Sequence, residues 1–204
     1  GIIEGVRFMR GTPAVAALIG VVTVYSIFGV PYLTLMPVVA GERLGLGAGG
    51  YGLLLACVGV GGLIGALTLA AAGERFPRHV VLSGASYLFS SLLIVFSLVR
   101  TPLPAYVLLL LIGFAMIVNS AQANAMLQHL VPDELRGRIM AAYSFIVVGL
   151  SQVAGSFVAG AVARAAGVAW AIGGGGAVML AYALWAFQGA RRKVIGGGVL
   201  TTAT

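Results

Sequence analysis

Charged residues in this chain fall in small clusters, and between them lie six long uncharged intervals: 11 to 41, 44 to 73, 79 to 99, 101 to 132, 139 to 163 and 165 to 190. A helix rises about 1.5 Å per residue and the hydrocarbon core of a bilayer is about 30 Å thick, so about 20 residues suffice to cross it. The shortest interval, His79 to Val99, has 21 residues. All six are therefore long enough to span. A large soluble protein buries one or two such stretches; six in succession, joined by a few residues each, would leave almost nothing to face water.

Composition agrees with hydrocarbon as the solvent. The chain is 60% hydrophobic and 8% charged, whereas a soluble domain carries about 25% charged residues. Its 31 glycines would weaken soluble helices. In a membrane they let helices approach closely while each backbone satisfies itself internally. The intervals are apolar on all sides, unlike the alternating strands of a membrane β-barrel. The expected fold is an all-α membrane protein with six transmembrane helices near 13–40, 49–72, 79–99, 103–130, 138–163 and 167–189. An amphipathic lead-in would occupy 1–12, and a cytoplasmic tail 191–204.

The net charge of +7 does not point to nucleic acid, because the basic residues are distributed as a topology signal. With the amino end inside, the cytoplasmic segments hold nine Lys and Arg, among them Arg75, Arg78, Arg136, Arg138 and the Arg191-Arg192-Lys193 run, against Arg43, Arg100 and Arg164 outside. The positive-inside rule then puts both termini in the cytoplasm. Cys57 is the sole cysteine, so neither an internal disulfide nor a cysteine metal cluster is expected, and no cofactor is implied. The chain begins at Gly1 with no leader pattern, which reads as a fragment.

Within the spans, Pro31 and Pro37 each remove a backbone donor and should bend span one in its outer half. Gly61 and Gly65 make a small-residue face on span two. Ser83, Ser86, Ser90 and Ser91 on span three can bond back to their own helix and need no ligand. Span four is the most polar. At about 100° per residue, Asn119, Gln122 and Met126 share one face, which should turn toward protein or a water-filled cavity because amides facing lipid are costly. Contact with cargo and pairing with a neighbouring helix both remain open for that face. Tyr25 and Tyr32 on span one, and Ser151 and Gln152 on span five, are further cavity candidates, with interhelical hydrogen bonding as the alternative. No Asp, Glu, Lys or Arg lies inside a predicted span.

Two short charged connections carry motifs. The first reads Gly73-Glu74-Arg75-Phe76-Pro77-Arg78-His79, the second Val131-Pro132-Asp133-Glu134-Leu135-Arg136-Gly137-Arg138. The Glu74, Arg75 and Arg78 pattern after a small-residue helix resembles the major facilitator superfamily, with Ala70, Pro77 and His79 departing from its usual residues. The second motif, with Pro31-Tyr32-Leu33 and the lead-in Glu4-Gly5-Val6-Arg7-Phe8, resembles the second half of the bacterial exporter branch that includes the enterobactin exporter.

The resemblance implies the carboxyl-terminal half of a twelve-helix secondary transporter with a 3+3 inverted repeat in the bacterial inner membrane. Its partners would be the lipid bilayer, a missing amino-terminal six-helix half and a small-molecule cargo. It further implies export of a small amphipathic molecule, such as a drug or siderophore, by alternating access through a cavity lined by spans one, two, four and five. Gly73, Glu74, Arg75, Arg78, Asp133, Glu134, Arg136, Gly137 and Arg138 would form a cytoplasmic gate, though charges at such places also act simply as caps and topology signals. Coupling to a proton gradient, as in an antiporter, would draw its carboxylate from the missing half. Two alternatives stand beside this: a half-size protein that pairs with itself or no longer transports, and, more remotely, an intramembrane protease using Ser151. The last requires a histidine within hydrogen-bond reach, and His79 and His129 lie at span ends.

Overall fold

A computed structural model describes residues 13–73 and 75–195, and among them every regular element is helical. The lead-in at 1–12, Glu74 and the tail beyond 195 lie outside the described residues. Five helical stretches are long and apolar enough to cross a membrane: Val15–Arg43, Ala48–Ala72, Arg78–Leu98, Pro102–Leu130 and Val168–Gln188. The fifth predicted span is not among them. Its region is instead a succession of a helix at Asp133–Ala142, a widened π turn at Tyr143–Leu150 and a helix at Ser151–Ala166.

The first stretch is broken where its prolines demand it. Helix α1 (Pro13–Val24) gives way to a π turn at Tyr25–Gly29, then α2 (Tyr32–Val38) and a second π turn at Val39–Arg43. Pro31 has no N–H to give to the carbonyl of Ile27. The bonding therefore slips: Val30 N donates to Tyr25 O at 3.0 Å, five residues back. A second slip of the same length lies beyond Pro37, where Leu44 N reaches Val39 O at 3.1 Å. The irregularity starts at Tyr25, deeper than the outer-half bend predicted, because a proline disturbs the turn that precedes it.

The remaining elements are α3 (Ala48–Ala72), α4 (Arg78–Leu98), α5 (Pro102–Leu130), α6 (Asp133–Ala142), α7 (Ser151–Ala166) and α8 (Val168–Ile195). Pro102 opens α5 as its first residue, where a missing N–H costs nothing. Gly73 closes α3 at φ +54, and Gly167 separates α7 from α8 at φ +95; both conformations favour glycine. Two boundaries differ from the expectation. The helix predicted from 138 begins at Asp133, so Arg136, Gly137 and Arg138 sit in its first turns rather than in a loop. Helix α8 runs to Ile195, past the expected end at 189. In both places hydropathy marks where lipid stops, whereas the helix continues into water on good helix formers and charges suited to its dipole.

Packing follows the glycines. Helix α5 lies against α3 and α4, α4 against α8, and α7 and α8 flank the π turn at Tyr25–Gly29. Gly61 of α3 rests on the backbone carbonyl of Leu110, while Gly113 of α5 rests on that of Val58; a Cβ at either position would run into backbone. Gly65 continues the seam, 2.8 Å from Phe114 O to where its Cβ would stand. On the other side, Gly155 of α7 lies on the carbonyl of Ile27 and Gly175 of α8 on that of Phe28. The core between them holds Phe89, Leu93, Leu109 and Ile112, all fully buried. Helix α4 carries Phe89 at the centre of this bundle.

Candidate functional site

The polar side chains predicted to face a cavity fall into two settings. In the first, they are enclosed between helices. Asn119 is 1% exposed and donates its Nδ2 to Ser86 Oγ of α4 at 2.6 Å. Gln122, one turn along α5, is also buried, and its Oε1 has no hydrogen-bond partner. Met126 is half-buried against the apolar cluster of Leu18, Leu82 and Ile139. Tyr25 and Tyr32 are buried against Phe89, with ring centroids 5.1 and 6.1 Å away. Their hydroxyls turn to α5: Tyr25 Oη donates to Met116 O and accepts from Ser120 Oγ, each at 3.4 Å, and Tyr32 Oη approaches Met116 Sδ at 3.9 Å. These groups tie the irregular first stretch to α5.

The second setting is open. Thr34 of α2 is exposed, and its hydroxyl pairs with Ser156 Oγ of α7 at 3.2 Å. Ser156 Oγ also donates to the main-chain carbonyl of Gln152, one turn back along α7, at 3.0 Å, and Gln152 itself is half-buried. Ser151 is half-buried at the start of α7 and has an interaction of its own. Of the cavity candidates, then, Ser151 and Gln152 lie on α7 beside the open strip, whereas Asn119 and Gln122 lie inside. Thr34, Ser156 and Ser86 were missed as site residues. Ser86 was set aside because a helix serine can satisfy itself; Ser83 and Ser90 do, donating to Val80 O and Ser86 O. Only the three-dimensional neighbour distinguishes Ser86 from them. Thr34 is one helical turn from Pro31 and Pro37, the signal that could have found it.

The loop residues separate likewise. Gly73 supplies the α3 terminus and Arg75 stands exposed in the turn after it. Arg78 opens α4, half-buried and engaged. Arg136 pairs with Asp133 at 2.5 Å within the first turn of α6, both largely exposed. Arg138 is engaged, Gly137 faces open space, and the side chain of Glu134 lies outside the described set.

A family model described as transmembrane secretion effector, a branch of the major facilitator transporters, matches residues 1–194. The chain belongs to that family. It is thus an integral membrane protein of a transport superfamily, and members of the superfamily are generally not enzymes. No curated protein and no solved structure matches the chain. His79 and His129, the histidines any protease reading of this family member would need, stand exposed at the ends of α4 and α5.

Proposed function

We propose that this chain is one six-span half of a secondary transporter that moves a small amphipathic molecule out of the cell by alternating access, with both termini cytoplasmic. The observation that carries this reading is the exposed hydroxyl pair of Thr34 and Ser156, on helices otherwise clad in apolar residues. Polar groups facing lipid are disfavoured, so a strip of them on the open side of a membrane bundle fits a water-filled path. It joins α2, whose two flanking π turns can change bonding register, to α7. Cargo with a largely apolar body and a few hydrogen-bonding groups suits such a lining.

Two further features support the half-molecule arrangement. Helix α3 leaves Leu53, Val60, Leu63 and Leu67 exposed, and α7 with the π turn before it leaves Phe145, Val153 and Phe157 exposed, faces suited to a second six-helix half. A sixth span running through α6, the π turn and α7 gives a 3+3 arrangement in which exchanging spans one and four, two and five, and three and six carries the two–four contact onto one–five and the three–four contact onto one–six. Asp133, Arg136 and the arginines of the α3–α4 turn would close its cytoplasmic side.

The test is transport by the chain in its native gene context, in inverted membrane vesicles with an amphipathic fluorescent cargo and with or without a pH gradient. Thr34→Val with Ser156→Ala should lower the rate at least several-fold while the amount of protein in the membrane stays unchanged. Full transport by that double variant, or uptake that ignores every imposed gradient, would overturn the reading.

A further inference from the structure

Between α3, α4 and α5 lies a cavity of about 250 Å³, separate from the Thr34–Ser156 strip. Its wall is apolar, made by Leu69, Val81, Ala85, Leu88, Phe114 and Val118, with Gln122 as its one amide. Thr68, Gly73, Phe76 and Leu88 line it and are exposed, so it opens sideways on the flank of the bundle near the α3–α4 turn. A membrane protein presents that flank to lipid.

Gln122 is 7% exposed and its Oε1 is buried without a hydrogen-bond partner. An unpaired buried acceptor costs about 1–3 kcal/mol, so the site calls for a donor. The cavity wall supplies none. Thr68, the only hydroxyl among the described residues that line it, already donates to Ile64 O at 2.8 Å, and Ser86 is not part of the lining. The contrast on one helix is direct: Asn119 is partnered from α4, whereas Gln122, three residues on, faces apolar side chains. Among the described residues that line the cavity none is charged.

We infer that this cavity is a lateral binding site for a neutral amphiphile, an apolar chain or ring ending in a hydroxyl that donates to Gln122 Oε1, entering from the bilayer. The volume lies just below the range of about 300–1,000 Å³ usual for drug-sized ligands, and so fits a short chain or a single ring. The inference needs the membrane setting and not the transport reading, because the site lies on α3–α5 and is read by binding alone.

Photolabelling tests it. The full chain in lipid nanodiscs is irradiated with a diazirine-bearing octanol, and in parallel with the matched diazirine octane that lacks the hydroxyl. The octanol probe should label peptides of α3, α4 and α5 around the cavity, in a saturable way that excess plain octanol competes, and at least tenfold more strongly than the octane probe. Gln122→Leu should remove that preference and leave both probes equal. Leu88→Trp, a change at the exposed mouth that leaves the amide intact, should block labelling by both. Equal labelling by the two probes in the unaltered chain, or a hydroxyl preference that survives Gln122→Leu, would overturn the proposal and leave Gln122 an amide hydrated by water alone.

Discussion

Two seams hold this bundle together, and they use the same contact in opposite ways. Between α3 and α5, Gly61 and Gly113 each seat on a carbonyl of the other helix, and both helices are regular through the crossing. Around the first stretch, Gly155 and Gly175 seat on the carbonyls of Ile27 and Phe28, within and beside a π turn that Pro31 forces open. An apolar cavity of about 200 Å³ adjoins that second seam, lined by Ile27, Phe28, Val162 and Trp170. Both seams border a cavity, since the space of about 250 Å³ lined by Leu69, Phe114 and Val118 lies beside the first; what sets them apart is the backbone, regular on both sides of the first seam and widened on one side of the second. Close approach alone thus does not make a rigid contact; it is rigid when both backbones are fully bonded.

Breaking the tight seam should have the largest effect. Gly61→Val and Gly113→Val place side-chain atoms onto backbone that has nowhere to go, and each is expected to destabilise by about 3 kcal/mol or more, near the upper end for overpacking. Gly52→Ala and Gly59→Ala, on the same helix as Gly61 but facing open space, should change stability by less than about 0.5 kcal/mol. Denaturant unfolding in mixed micelles, followed by fluorescence of Trp170 and Trp185, reads both. Equal losses at Gly59 and Gly61 would mean that the seam is not where the stability lies.

The loose seam should yield more gently to the same insult. Gly155→Ala also meets backbone, but Ile27 stands in a widened turn whose bonding can shift, so the expected cost is about 1–2 kcal/mol, below that of Gly113→Ala. Side-by-side unfolding of the two alanine variants decides it. If Gly155→Ala proved the costlier, the region around Pro31 would be the stiff part of the molecule.

Much of this difference was legible in the sequence. Charge spacing located the five helices that meet the length and hydropathy of a span to within a few residues, because lipid exclusion acts on every residue of a span at once. Gly61 and Gly65 announced a close face, and Pro31 with Pro37 announced an irregular helix. What could not be read was partnership. Asn119 and Gln122 share a face and a chemistry, yet one meets Ser86 and the other meets no donor, a difference set by which residue of α4 happens to lie opposite. The pairing of Thr34 with Ser156 joins helices more than a hundred residues apart in the chain. The helices also run beyond the predicted spans, from 133 and to 195, since hydropathy reports the medium and not the backbone.

A smaller effect tests whether polar pairing adds to the rigid side of the comparison. Asn119→Ala and Ser86→Ala each remove one partner of a buried bond, and each should cost about 1 kcal/mol, with a coupling in the double variant of about 0.5–1.5 kcal/mol as found for hydrogen bonds between membrane helices. Additive losses in that double-mutant cycle, with no coupling, would show that the 2.6 Å contact contributes nothing beyond packing.

The smallest effect concerns the one polar tie that the loose side makes at its outer end. Arg43, in the second π turn of the first stretch, donates Nη1 to Ser97 O near the end of α4 at 2.7 Å. The Ser97 carbonyl belongs to the last turn of α4, where few backbone donors reach it. A charged donor to such a carbonyl is favourable, but Arg43 is only half-buried and water competes for both groups. Arg43→Gln should therefore lower stability by about 0.5–1 kcal/mol, with Arg43→Lys intermediate, and hydrogen exchange at the amides of residues 39–44 should quicken in both. Unchanged exchange there, with stability intact, would mean that the second π turn is held by its own backbone and by apolar packing, and that the Arg43 contact adds nothing to it.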